Sequence, residues 1–588
     1  MDITSRLLAL REVMEREGLD AYIVSGTDPH NSEYLPEAWK QREWMSGFTG
    51  SFGTLVVLKD QAGLWTDSRY FIQAEKQLKN SGIQLHKLRM PGSLDYPEWL
   101  SSTLPQKGRV GLDCFCISVV EMKRLKKNID IKEGKIVENI DLVGDIWLNR
   151  PELPNSPLFR IETGVDAKTK IAMVRHVLQK EKSDYFVFSA LDEIAWLYNI
   201  RCNDILYNPV AISYAIVGMK DTHLFVKFDK VSKEIAEELK QDGVQIHDYC
   251  RISNFLNELP KEASCCIDVS TLNYALYHQI TSRCSVKEVA SPLVLSKAIK
   301  NKTEIEGFRA ACVKDGVAMT KFFYWLERNI CNHLTETEVS EQLTAMRACC
   351  SEYISDSFHN ISAYGANAAL PHYSALPGQD SRLEARGLYL VDSGGQYIHG
   401  TTDITRTVSL GELTRQEKED YTIVLKGMIA LSCAVFPEGT RGCNLDALAR
   451  QPMWQTLRNF GHGTGHGIGF FLNVHEGPQS IRQDLKEQAI LPGMVTSNEP
   501  GIYRENSHGI RHENMILCVP VGENEFGKWY GFETLTLCYF DTSALLLELL
   551  TEEEKKWIND YHKTVYQKLA PFLNQEEVCW LAKKTKEI

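Results

Sequence analysis

The sequence predicts a chain of mixed α/β and α+β architecture, with two copies of one α/β domain followed by a different C-terminal domain. Three observations carry that reading. At 588 residues the chain exceeds what one hydrophobic core organises, so about two to four domains are expected. The front half repeats itself in order and in spacing. Beyond about residue 300 the repeat stops, and motifs dense in acidic residues and histidines begin.

The chain opens on MDITSRLLALREVMEREGLD, with apolar residues at helical spacing among charges of both signs. It predicts a surface helix rather than a signal peptide, which needs an uninterrupted apolar core. LDAYIVSGTD (19–28) then matches SDYFVFSALD (183–192), and FGTLVVLKDQAGLWT (52–66) runs like SYAIVGMKDTHLFVKF (213–228), each reading strand, turn, strand. A charged helical segment follows in both copies. Next come GIQLHKL (82–88) against GVQIHDY (243–249), and RVGLD (109–113) against SCCID (264–268), the offset falling only from 164 to 155 residues. Strands alternating with helices predict an α/β layer on a mixed sheet in each copy. The joint lies near NRPELPNSPLF (149–159), whose prolines lack the amide hydrogen that a helix interior or central strand needs. The second copy ends near SPLVLSKAIKNKTE (291–304), giving expected domains 1–152, 153–300 and 301–588.

Composition narrows the function classes. The net charge of −12 is spread along the chain without a basic block, which argues against nucleic acid as the main partner. No stretch approaches the ~20 apolar residues of a membrane span; SALLLELL near the C-terminus is too short. The sixteen cysteines are scattered, with adjacent pairs at Cys265–Cys266 and Cys349–Cys350 and no pair at zinc-finger spacing. They read as buried free thiols of a cytoplasmic protein.

The chemistry concentrates in the last domain. LYLVDSGGQYIHGTTDITRTVSL (388–410) reads as strand, glycine-containing loop, strand, with Asp392 ending the first run and Asp403 opening the second. Facing strand ends bring the two carboxylates together, where they repel unless a cation or proton intervenes. A second pair has the same form: MVTSNEPGIY carries Glu499 and GIRHENMILCV carries Glu513 ahead of an apolar strand. FGHGTGHGIGFFLNVHEGP (460–478) supplies His462, His466 and His475 among six glycines, and it fits neither phosphate-loop pattern. His466 can serve as nitrogen ligand, with the flanking glycines letting the loop approach without Cβ clashes. Four carboxylates and a histidine suit Mn²⁺, Co²⁺ or Zn²⁺ better than a structural Cys₄ zinc. If carboxylates bridge, two ions would sit roughly 3.5–4 Å apart.

The ordered set Asp392, Asp403, His466, Glu499 and Glu513 resembles the pita-bread metallopeptidases. The motifs VDSGGQYIHGTTDITRT, GHGTGHGIGFFLNVHEGP and NEPGIY…GIRHEN, with SGFTGSFGT, WTDSRYFIQA and IWLNRPELP further forward, are similar to those of the three-domain cytosolic aminopeptidase P family. The resemblance implies two creatinase-like N-terminal domains and a pita-bread catalytic domain. It implies two divalent ions per subunit, Mn²⁺ by analogy, and a homodimer joined mainly through catalytic domains. The activity implied is release of the N-terminal residue from peptides with proline second. Asp392 would bind one ion, His466 and Glu499 the other, with Asp403 and Glu513 bridging. A hydroxide between the ions would be the nucleophile, and Glu499 the proton shuttle.

By the same resemblance His372, in AALPHYSA, together with His462 and His475 would hydrogen-bond substrate or the tetrahedral intermediate. Arg511 would support the metal-bound carboxylates, and Arg69, in the WTD-x-RY motif, would reach substrate from the first domain. Two positions depart from the family pattern. Asn498 stands where Asp is common, and His512 where an aliphatic is usual, which puts metal preference and pH optimum in question. A prolidase, which shares the five ligands but cleaves dipeptides, and a non-catalytic peptide-binding module of the same fold are the competing readings. Modules of the second kind have typically lost ligands that are present here.

Overall fold

The computed structural model describes all residues 1–588, and the chain divides into two compact units, Met1–Leu293 and Val294–Ile588.

The N-terminal unit contains the repeat as two six-stranded sheets. The first uses β1 (Ala21–Val24), β2 (Thr54–Leu58), β3 (Ala62–Thr66), β4 (Gln84–Lys87), β5 (Arg109–Leu112) and β6 (Lys135–Val137). The second uses β7 (Tyr185–Phe188), β8 (Ser213–Gly218), β9 (Thr222–Val226), β10 (Gln245–His247), β11 (Ser264–Ile267) and β12 (Ser285–Glu288). The orders are β4-β3-β2-β1-β5-β6 and β10-β9-β8-β7-β11-β12, the same topology twice. Both sheets are mixed: β1 runs antiparallel to β2 and parallel to β5, and β7 does the same with β8 and β11. Inner strands such as β1 and β8 are buried along their whole length, which accounts for their unbroken apolar runs.

Each copy begins with a helix started in the same way. In α1 (Ile3–Arg16) the Asp2 carboxylate accepts from the Ser5 amide, and Leu7, Leu10, Val13 and Met14 are buried. In α2 (Ala167–Glu181) Asp166 accepts from the Thr169 amide, and Ile171, Val174 and Leu178 are buried. A side-chain oxygen on an otherwise unpaired amide and an apolar stripe at three- and four-residue spacing specify both helices. The cysteines form no disulfide; the adjacent pair Cys265–Cys266 is buried, whereas Cys250, Cys331, Cys349, Cys433 and Cys579 are exposed.

The C-terminal unit places strands on helices in two parts. In the first, β13 (Ile361–Tyr364), β14 (Leu388–Ser393) and β15 (Ile404–Ser409) form one sheet. It is built with α3 (Lys302–Asn329) and α4 (Glu336–Ala348). In the second, β16 (Gly465–Gly467), β17 (Glu476–Ile481), β18 (Val495–Asn498), β21 (Asn514–Asn524), β22 (Gly527–Thr534) and a short strand at Phe436–Pro437 form a six-stranded sheet. Helices α5 (Arg415–Ser432) and α6 (Gly442–Trp454) accompany it, and β19 (Gly501–Arg504) pairs with β20 (His508–Arg511). One core joins the parts, including Phe322, Leu343, Tyr389, Val391, Tyr421, Val424 and Met428. Each such side chain stabilises the unit by about 1.5–3 kcal/mol through burial. No helix is long and apolar enough to cross a membrane.

The expected strand-loop-strand at 388–410 is more elaborate than its sequence suggests. Between β14 and β15 the chain makes a small hairpin, Gly395–Tyr397 with Gly400–Thr401, which pairs with Tyr353–Asp356. Strands β14 and β15 still lie antiparallel, with Asp392 opposite Thr405 and Ser393 opposite Ile404. Asp403 therefore sits just beyond the paired end.

Candidate metal centre

The C-terminal unit gathers the acidic residues from four connections. Asp392 comes from the end of β14, Asp403 from the start of β15, Glu499 from just after β18, and Glu513 from between β20 and β21. His466 is the middle residue of β16. Backbone pairing fixes the approach of these segments: the Glu513 amide donates to Thr405 O at 3.1 Å and the Glu499 amide to Thr464 O at 2.8 Å. Ligand atoms of Asp403, His466 and Glu513 lie within 4.8 Å of one another. His466 Nε2 is 3.5 Å from Asp403 Oδ2 and 3.5 Å from Glu499 Oε1.

The glycines around His466 also make room for the backbone of neighbouring strands. A Cβ at Gly465 would meet Ser497 O at 1.9 Å, and one at Gly467 would meet Glu476 O at 2.2 Å. They let β16 close on its two neighbours, and the stretch expected as a loop is a short strand at that point.

Electrostatically the cluster is unbalanced. Asp403, Glu499 and Glu513 are all pushed well above the usual carboxyl range, first by burial and next by one another: Glu513 acts on Asp403, Asp403 on Glu499, and Glu499 on Glu513. Asp392 Oδ1 is buried without a hydrogen-bond partner. His466 Nδ1 donates to Gly467 O at 3.0 Å, so in the neutral ring Nε2 turns a lone pair toward the two carboxylates. A lone pair facing carboxyl oxygens is stable only with a proton or a metal cation between them. The donor set of carboxylates plus imidazole fits divalent Mn²⁺, Co²⁺ or Zn²⁺.

Neutralisation by the protein comes mainly from Arg511, which is buried and aimed at Asp392. Its Nη2 donates to Asp392 Oδ2 at 2.6 Å, its Nε to Thr405 Oγ1 at 3.1 Å, and its Nη1 to Tyr503 Oη at 2.7 Å. Burial opposes the guanidinium charge, but Tyr503, Asp392 and Glu499 outweigh it and raise its pKa further. Tyr503 Oη donates its own hydrogen bond to His462 Nε2 at 2.7 Å, while His462 Nδ1 donates to Gly463 O at 2.7 Å. Burial, then Arg511, hold His462 at a pKa of about 3, so the neutral ring that this pattern requires is the one present. Thr405 Oγ1 donates to Glu513 Oε2 at 2.8 Å and Ser497 Oγ to Glu499 Oε1 at 3.1 Å.

The remaining predicted residues fall in distinct places. The ring of His475 stands edge-on to that of His466, centroids 4.4 Å apart. His372 lies in the segment after β13, next to Pro371, whose carbonyl accepts from Arg511 Nη2 at 3.4 Å. His462 is held by Tyr503 and Gly463, so its ring supports Arg511. Arg69 belongs to the N-terminal unit, where it makes a two-point pair with Asp67 at 3.0 and 2.8 Å. Asn498 donates to Met428 O at 2.8 Å and Ser432 Oγ at 3.0 Å, tying β18 to α5. His512 is buried against the edge of the Tyr421 ring, and burial drives its pKa well down. Sequence reasoning passed over Tyr503, Thr405 and Ser497, although Thr405 stands in VDSGGQYIHGTTDITRT and Ser497 and Tyr503 stand in MVTSNEPGIY.

Comparison with known proteins fits this geometry. The model of metallopeptidase family M24 matches residues 306–520 and that of its C-terminal region 528–588. Creatinase/prolidase N-terminal domain models match 6–143 and 149–304. A probable Xaa-Pro aminopeptidase P from Botryotinia fuckeliana is 40% identical over 99% of this chain and 93% of its own.

The chain belongs to metallopeptidase family M24.

Within that family, aminopeptidase P2 of Arabidopsis thaliana is 38% identical, over 100% of this chain and 89% of its own. The crystal structure of X-prolyl aminopeptidase from Caenorhabditis elegans, described as a cytosolic enzyme with a di-nuclear active site, matches at TM-score 0.95 and 33% identity, with complete coverage of both chains. A prolidase from Pyrococcus horikoshii matches at TM-score 0.51 and 25% identity, covering 99% of its own chain but only 63% of this one. The fold is thus two creatinase-type N-terminal domains followed by a pita-bread M24 catalytic domain.

Proposed function

We propose that this M24 peptidase is an Xaa-Pro aminopeptidase, releasing the N-terminal residue from peptides with proline in second position and working with two Mn²⁺ ions. The observation that carries the metal reading is His466 Nε2 lying 3.5 Å from both Asp403 Oδ2 and Glu499 Oε1, in a cluster whose buried acids raise one another's pKa. The full-length likeness to Xaa-Pro aminopeptidases supports the substrate class. Asp392 would hold one ion, His466 and Glu499 the other, and Asp403 and Glu513 both. When bound, ions of this kind make water nucleophilic near neutral pH and polarise a carbonyl.

The chain's own groups supply the rest. Glu499, oriented by Ser497 Oγ, takes a proton from the attacking water and returns it to the prolyl nitrogen as the bond breaks. That nitrogen carries no hydrogen in the substrate, so recognition rests on donors to the carbonyl oxygen. His475 and His372 provide them and stabilise the charge that develops there. Arg511 holds Asp392 in place, and His462 holds Arg511 through Tyr503. Domain limits at 1–152, 153–300 and 301–588, a homodimer through the catalytic domains, substrate contact by Arg69 and residence in the cytoplasm belong to the same proposal, on the strength of the family likeness.

Hydrolysis of Arg-Pro-Pro and of Arg-Pro, after chelation and again after Mn²⁺ addition, tests the reading. Metal-dependent release of arginine from the tripeptide is expected. Cleavage of Arg-Pro alone would make the chain a prolidase, and no cleavage under any metal would favour a peptide-binding module.

A further inference from the structure

Glu336 opens α4 and is wholly buried. A glutamate in a first helical turn ordinarily stays at the surface and complements the helix dipole. The capping box of α4 is made by its neighbours Thr335 and Glu338, so Glu336 is free for another task. Its carboxylate turns to the chain between β13 and β14. There it accepts from the Tyr364 amide at 2.6 Å, from Asn367 Nδ2 at 3.0 Å to each oxygen, from Tyr373 Oη at 2.7 Å and from the Ser381 amide at 2.8 Å. Its main chain adds two more ties, the amide donating to Ser381 O at 3.0 Å and the carbonyl accepting from Ser362 Oγ at 2.7 Å.

All four donors to the carboxylate are neutral, and they are spaced along a single segment. They fix its start at Tyr364, its turn at Asn367, its middle at Tyr373 and its return at Ser381. His372 lies between the second and third. On its other side the segment meets Arg511 through Pro371 O at 3.4 Å and His359 through Ser374 Oγ at 3.0 Å. A segment without regular structure over residues 370–381 thus has one buried acid as its common anchor.

We infer that Glu336 is a positioning residue for His372: it sets the path of residues 364–381 so that the imidazole meets the scissile carbonyl. The inference rests on the reading of His372 as a substrate histidine. A glutamine at 336 would keep one acceptor but turn an NH₂ group against donors, releasing the segment while leaving the carboxylate cluster intact.

The test compares wild type, Glu336→Gln, His372→Ala and the double variant on Arg-Pro-Pro with Mn²⁺, alongside metal content and the thermal midpoint of each. Glu336→Gln should lower kcat by about 10–100-fold, the cost of a misplaced catalytic group, with KM and bound metal near wild type. In the His372→Ala background the same change should cost less than about 3-fold, since a residue that acts through His372 has nothing left to act on. Multiplicative losses, or loss of metal from Glu336→Gln, would overturn the proposal while leaving the reading of His372 in place. His372→Ala at wild-type rates would remove that reading, and the proposal with it. If Glu336→Gln does not fold, Tyr373→Phe, which deletes one donor, takes its place in the same cycle with a smaller expected loss.

Discussion

Asp420 and Asp403 are both buried carboxylates of the C-terminal unit, at 0% and 4% exposure, and the chain treats them in opposite ways. Asp420 receives Arg458 Nε at 2.6 Å, Arg504 Nε at 2.5 Å and His508 Nε2 at 2.9 Å. Burial works against its charge, but these hydrogen bonds hold it far below the usual carboxylate range. Glu476 likewise has cations of the protein as partners, the ammonium groups of Lys297 and Lys300. Asp403 instead faces Glu513 and Asp392, and its pKa moves up. An acid that the protein neutralises with its own cations is holding the fold together. An acid left among other acids is waiting for a cation from outside.

Replacing one residue of each kind should separate the two roles. Asp403→Ala should lower kcat/KM by roughly 10³-fold, about 4 kcal/mol of transition-state stabilisation, and should lower bound metal without destabilising the chelated protein. A variant that kept its metal and its rate would erase the contrast. Asp420→Asn should do the reverse. Removing the charge that accepts from Arg458, Arg504 and His508 should cost about 1.5–3 kcal/mol of stability, read by denaturant unfolding, while the folded protein keeps its metal and its kcat/KM.

A smaller effect sharpens the comparison through pH. His462 and His562 are held by burial at pKa values of about 3 and 4. The unfolded chain takes up protons near pH 6.5 and the folded one does not, so their contribution to stability falls as pH drops from about 6.5 toward 4. The raised acids of the metal-free cluster run the other way. Folded, they bind protons more readily than unfolded, so their contribution is present at low pH and is lost as pH rises. Bound metal removes that second term. The gap in thermal midpoint between Mn²⁺-loaded and chelated protein should therefore be wider at pH 7.5 than at pH 5.5. An equal gap would mean that the acids do not repel one another in the metal-free state.

Much of this was legible in the sequence, for reasons that differ from residue to residue. The duplication could be read because strand and turn chemistry recur in order, and the structure repeats even the capping aspartates, Asp2 and Asp166. The five acidic and histidine positions could be read because strand-end carboxylates and a histidine among glycines form a pattern. The function of Gly465 and Gly467 could not, because the atoms they make room for, Ser497 O and Glu476 O, come from other strands. His462 looked equivalent to His475 for the same reason: only the fold brings Tyr503 to its Nε2. Glu336 carried no signal, since TETE ahead of an apolar run reads as an ordinary helix start. The second strand pair inserted between Asp392 and Asp403 was hidden by its shortness.

The order in which the site residues occur along the chain bears on its synthesis. Asp392 and Asp403 emerge from the ribosome well before Glu499 and Glu513 exist, and the core that aligns them also needs Val565, Leu569, Trp580 and Leu581 from the last helices. A nascent chain that has not reached Glu499 holds three of the five ligands, on strands with no finished core beneath them. The aligned site therefore forms only once those last helices have joined the core, later than any of its ligands is made.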